Sequence, residues 1–190
     1  MTTLVGVIAD THVPERLKCL PPGIAQAFDG AQLILHAGDI NSAGVLEELG
    51  RIAPVVAVIG NADPPWWDLP RSCIVEVEGC RIGLTHGHGG WRRYLKDKFR
   101  MRLGGYDPVQ YLRYAREAFR DVSVIVTGHT HRPHLTYLEG VLLLNPGSVA
   151  PDYYIAAGPT VGVLRIEAGI ARARIVPLGA RPWAQFGICR

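Results

Sequence analysis

The sequence predicts an α/β fold. Two observations carry that reading: up to Asp63, apolar β-branched runs alternate with short helical stretches, and from Ser72 onward the runs come in closely spaced pairs. Alternating units build parallel sheets, whereas runs joined by two-residue turns make antiparallel hairpins.

Residues 4–9 form the first run, a continuous apolar stretch of the kind buried on both faces of a sheet, and it ends in Asp10-Thr11-His12. Residues 33–37 repeat the pattern and end in Gly38-Asp39. Residues 55–59 repeat it again and end in Gly60-Asn61-Ala62-Asp63. The stretches 22–28 and 42–49 read as the intervening helices, the second with Ser42 and Glu47 as capping-type residues. Loops at the carboxyl ends of such strands form the crevice where ligands bind.

Residues 74–78 and 81–85 predict a hairpin turning at Gly79-Cys80, with the second strand leading into His86-Gly87-His88. Asp107-Pro108-Val109-Gln110 has the form of an N-cap, a first-turn proline and a capping-box glutamine, opening a helix to about Phe119. Residues 123–127 predict a strand ending in Gly128-His129-Thr130-His131. The runs 135–138, 141–144, 161–167 and 170–176 predict an antiparallel meander or second sheet.

With 190 residues, 48% hydrophobic and 19% charged, the chain is expected to be one domain, 1–190, with a helical insertion at about 90–120. Cys19, Cys73, Cys80 and Cys189 have no CxxC spacing, which argues against a thiolate zinc site or a disulfide framework and predicts free thiols in a reducing cytosol. The N-terminal apolar run is too short for a signal peptide or a membrane span, so a cytoplasmic protein is expected. A net charge of +3 suits anionic ligands but is too weak to indicate nucleic acid.

The five predicted strand ends bring Asp10 and His12, Asp39, Asn61 and Asp63, His86 and His88, and His129 and His131 to one rim. Two neighbouring divalent ions need a bridging carboxylate, imidazoles and oxygens around it, and open positions for substrate. This set supplies them. Any one motif has a plain alternative, a turn for Asp-Thr-His or a helix start for Gly-Asp, but five at five strand ends favour metal. The absence of cysteine argues against a closed structural zinc site, and the excess of Asp, Asn and His suits manganese, iron or zinc in a catalytic role, manganese first, with nickel a further alternative.

The ordered motifs Asp-x-His, Gly-Asp, Gly-Asn-x-Asp, His-Gly-His and Gly-His-Thr-His resemble the calcineurin-like metallophosphoesterase signature, in its small bacterial and archaeal phosphodiesterase branch. Asn145-Pro146-Gly147-Ser148 also resembles that branch. The resemblance implies a four-layer αββα sandwich of two mixed β-sheets with flanking helices. It further implies Asp10, His12 and His131 on one metal, Asn61, His86 and His129 on the second, and Asp39 bridging. The implied reaction is in-line attack on phosphorus by water activated between two ions. Larger relatives carry Gly-Asn-His-Glu where this chain has Gly60-Asn61-Ala62-Asp63, so the general acid is open, with His88 ahead of Asp63.

His36 reads as a buried supporting residue rather than a ligand, and His134 as a surface residue. In residues 91–103, basic side chains flank an apolar stripe. That pattern suits an amphipathic helix with a solvated face, or an overhang in which Arg92 or Arg93 clamps a phosphate. Trp66 and Trp67 suit base stacking, a dimer contact or loop packing alike. The expected activity is hydrolysis of a small phosphodiester, with monoesters and nucleotides as further substrates. The rival is a metal-binding protein-interaction scaffold, as in the retromer subunit that the branch also resembles. No membrane partner is expected, a nuclease is disfavoured, and homo-oligomerisation stays open.

Overall fold

The computed structural model describes residues 1–89, 108–150 and 158–179. Two five-stranded mixed sheets stack face to face. The first runs β10-β9-β1-β2-β3, in which β1 (Thr2–Ile8), β2 (Leu33–His36) and β3 (Val55–Ala57) are parallel. β9 (Thr160–Glu167) pairs antiparallel with β1, and β10 (Ile170–Pro177) with β9. The second runs β4-β5-β6-β8-β7. Here β5 (Cys80–Thr85), β6 (Val124–Val126) and β8 (Val141–Asn145) are parallel, while β4 (Ser72–Val77) and β7 (His134–Leu138) pair antiparallel at the edges.

Three apolar clusters define the four layers. Val5, Val7, Leu35, Ile82, Val124 and Leu142 meet between the sheets. Ile8, Phe28, Ile34 and Val163 pack the outer face of the first sheet against α1 (Gly23–Ala27) and α2 (Ala43–Gly50). Phe119, just beyond α3 (Pro108–Ala118), and Ala115 cover Ile125 and Leu143 of the second sheet. Each outer layer is seated by a glycine notch. A Cβ at Gly6 would meet the Phe28 ring at 2.9 Å, and one at Gly83 the Phe119 ring at 2.7 Å.

Several sequence expectations need correction. β9 and β10 do not extend the second sheet; they return to the first, because β9 finds the open edge of β1. The hairpin turns at Glu78-Gly79, both with positive φ, and Cys80 is a buried strand residue. Ser42 holds the N-cap position of α2 but makes no side-chain cap bond, and Glu47 lies beyond the first turn. Cys73 and Cys80 are free, whereas Cys19 is disulfide-bonded, so the cysteines do not argue for a reducing compartment. Trp67 packs into the α-side core while Trp66 is 81% exposed. Among the described residues no helix is long and apolar enough to cross a membrane. Residues 91–103 lie outside the described residues.

Candidate metal centre

Six parallel strands, three from each sheet, point their carboxyl ends at one rim, and the polar motifs follow directly. The loops turn sharply there. Asp10, His12, Asp39, Asn41, His129 and His131 all adopt positive φ, from 46° to 70°. For residues with a Cβ this is a costly conformation that clusters at functional sites. Glycines make room for it. A Cβ at Gly60 would strike the Asp39 carboxylate and amide, and one at Gly128 would lie 3.0 Å from Asp10 Oδ2.

Asp10, His12, Asp39 and His131, all buried, each offer a ligand atom within 4.8 Å of the others. His12 Nε2 and His131 Nε2 face one another at 3.2 Å, with Asp39 Oδ2 3.5 Å from the first and Asp10 Oδ1 3.4 Å from the second. The His129 amide donates to both oxygens of Asp10, fixing the carboxylate.

On the other side of Asp39, its Oδ1 lies 3.3 Å from His86 Nε2, which is also 3.1 Å from Asn61 Oδ1. The His129 ring stands edge-on to His86, with centroids 5.1 Å apart. His86 Nδ1 donates to the Ala37 carbonyl at 2.7 Å, which leaves Nε2 as the nitrogen that faces the site. Nε2 therefore meets two oxygens that can only accept there. Such a convergence needs a proton or a cation at its centre, and a divalent ion fits it.

The electrostatics follow from this geometry. Burial alone would lower His86, but the Asp39 carboxylate overrides it and raises the imidazole to about 9. Burial opposes ionisation of both carboxylates, yet His131 holds Asp10 low and His86 holds Asp39 far below the usual range. Burial pushes His129 down to about 3, and the charge of His86 adds to it. Without metal the site thus sets its carboxylates against a charged His86 and a neutral His129, and a cation would take the place of the His86 proton.

The Calcineurin-like phosphoesterase superfamily domain, as a family model, matches residues 3–169. The chain belongs to this superfamily. The "Probable metallophosphoesterase" of Methanothermobacter thermautotrophicus is 39% identical over 178 residues, spanning 93% of this chain and 94% of that protein. A "Phosphodiesterase" of Methanocaldococcus jannaschii is 26% identical over 182 residues, spanning 86% and 93%. Wild-type Vps29 of Entamoeba histolytica complexed with zinc superimposes with a TM-score of 0.68 at 24% identity, over 93% of this chain and 100% of that one. That last likeness is one of fold. The calcineurin-like phosphoesterase frame, its phosphodiesterase relatives and the Asp/His cluster together support a metal-dependent hydrolase.

Within this phosphoesterase frame the remaining side chains divide into supports and mouth residues. Asp63 is a support, which corrects its candidacy as the acid. Its buried carboxylate accepts from the amides of Asp39, Ile40, Asn41 and Gly60 at 2.6–3.0 Å, so its acceptor sites are spent on tying the Asp39 loop to its own. His36 is buried, 3.2 Å from the Thr11 hydroxyl, and accepts from the Gly38 amide. Ser148 donates to the Asp10 carbonyl, and Asn145 donates to the Gly128 carbonyl and the Thr130 hydroxyl. The Asn145–Ser148 loop thus supports the site through the side chains of Asn145 and Ser148.

His88 lies beside the cluster, its ring centroid 5.4 Å from that of His86 and 6.1 Å from that of His129. Burial, then the charge of His86, pushes it down to about 4, so it is a neutral imidazole at physiological pH. Arg92 and Arg93 lie outside the described residues. Two side chains that sequence reasoning passed over reach the site instead. Exposed Arg16 places Nη1 3.5 Å from His131 Nδ1, and the Tyr111 ring of α3 stands 5.8 Å from that of His129. The only hint of Arg16 was its position four residues after His12, where a turn carries it back to the rim.

Proposed function

We propose that the chain is a two-metal phosphodiesterase acting on a small phosphodiester or nucleotide-like ester, with manganese the leading metal. The observation that carries this reading is Asp39, whose two oxygens are shared between the His12 side of the cluster and His86. Asp10, His12 and His131 would hold one ion and Asn61, His86 and His129 the other, with Asp39 bridging. When bound, the ions supply Lewis acidity toward the phosphoryl oxygens and activate the attacking water.

The chain's own residues do the rest. Arg16 at the mouth supplies a guanidinium fork suited to a non-bridging phosphoryl oxygen. His88 enters the reaction neutral and orients the leaving oxygen by hydrogen bonding, which favours esters with stable leaving groups. The cavity of about 270 Å³ between Gly87, Gly89, Tyr114 and Ala118 would receive the organic part of the ester.

The experiment is hydrolysis of an activated aryl phosphodiester and its monoester by metal-stripped protein reloaded with manganese, beside Asp39→Ala, His88→Ala and Arg16→Ala. The expected result is diester turnover that needs both metal and Asp39, a raised KM in Arg16→Ala, and a lowered kcat in His88→Ala. No turnover with metal demonstrably bound would overturn the enzyme reading in favour of a metal-binding interaction scaffold.

A further inference from the structure

A cavity of about 360 Å³ lies away from the metal rim. It opens on the outer face of the first sheet, beside the end of α1, and is lined by Leu4, Ala27 and Ala31 along with Arg165, Arg172 and Arg174. Leu4 precedes Asp10 by six residues, so the cavity and the metal centre are separated by roughly 20 Å along β1.

The three arginines are placed by strand register. Arg165 of β9 is the direct partner of Arg172 of β10, and Arg174 lies two residues further along the same exposed face of that edge strand. Like charges directly opposite in an antiparallel pair destabilise the sheet. Arg165 has a carboxylate at 4.0 Å, on Glu167, whereas Arg172 and Arg174 have no such partner among the described residues. Asp29 is the one acidic residue lining the cavity. Three arginines thus line one volume that also has apolar walls.

We propose that this cavity is a second ligand site, separate from the metal centre, that binds a small phosphate-bearing anion. Guanidinium forks match the several oxygens of a phosphate in pairs, and a dianion offsets the repulsion between Arg165 and Arg172. The floor of Leu4, Ala27 and Ala31 takes the less polar part of an organic phosphate. The volume lies in the range of small-ligand pockets.

The test is calorimetric titration of inorganic pyrophosphate and of adenosine monophosphate into metal-stripped protein. Wild type, an Arg172→Gln/Arg174→Gln variant and Asp39→Ala would be compared, with a glutamate-rich peptide as a further probe. The expected result is saturable one-to-one binding that weakens at least about tenfold in the double arginine variant. Asp39→Ala should leave it intact, and the double variant should keep its melting temperature and wild-type aryl phosphodiester hydrolysis. Three outcomes would overturn the proposal: no saturable binding, binding lost in Asp39→Ala but kept in the arginine variant, or binding of the acidic peptide in preference to both phosphates.

Discussion

Individual side chains at the rim divide into those that face an ion and those that hold the facing ones still. Asp63 belongs to the second group, and replacing it by asparagine should show this. An amide has one oxygen and brings an NH2 against backbone N–H groups, leaving amides of the Asp39 loop unpaired. The expected cost is about 3 kcal/mol of stability, read as a melting temperature lower by roughly 8 °C, with metal affinity weakened alongside. A catalytic acid, by contrast, would lose kcat with stability unchanged. The pH response of metal-stripped protein is set by the histidines. His36, His88 and His129 are held by burial to about 3, 4 and 3, so the folded chain carries fewer protons than the unfolded one below the ordinary value of 6.5. That stability is lost as pH falls from 6.5 toward those values. His86, raised to about 9, contributes stability that is present below 6.5 and lost as pH rises through 9. Melting temperature should therefore peak near pH 6.5 without metal, and reloading should abolish the alkaline decline. The side-chain types at strand ends were legible in the sequence because an apolar run that stops at Asp or His marks both a strand end and a polar loop. The task of Asp63 was not, since three of the four amides it binds come from a loop more than twenty positions earlier in the chain. Arg16 stands outside every motif and reaches His131 only through a turn.

Elements are positioned by a few steric fits rather than by pattern alone. Phe28 in the Gly6 notch and Phe119 in the Gly83 notch fix how closely the helical layers approach their sheets. A Gly83→Val change should push the start of the Phe119 segment outward, costing about 2 kcal/mol. Because α3 carries Tyr111 to the ring of His129, the same change should also raise KM, whereas a merely local packing defect would leave kinetics untouched. The alternation of strands and helices up to Asp63 was readable because period and run length separate them. The destination of β9 and β10 was not. Two alternating strands joined by a short turn can add to either sheet, and only the free edge of β1 decides between them. The one-residue slip at Glu78-Gly79 has a similar origin: Gly-Cys and Glu-Gly both suit a tight turn, and burial of Cys80 against the sheet core selects the second.

Across the whole molecule, the proposed ligands come from both halves of the sandwich. Asp10, His12, Asp39 and Asn61 follow strands of the first sheet, and His86, His129 and His131 follow strands of the second. Away from this rim the shared interior of the sheets is apolar. An ion at this rim would therefore act as a rivet through a laminate, fastening the two layers at one end. Hydrogen exchange should show it: manganese should slow opening at the ends of β1, β2, β5 and β6 together, while β7 and β10 at the far edges change little. A fastener of this kind has mechanical worth apart from turnover, so a descendant that stopped hydrolysing esters would still gain rigidity from every ligand it kept.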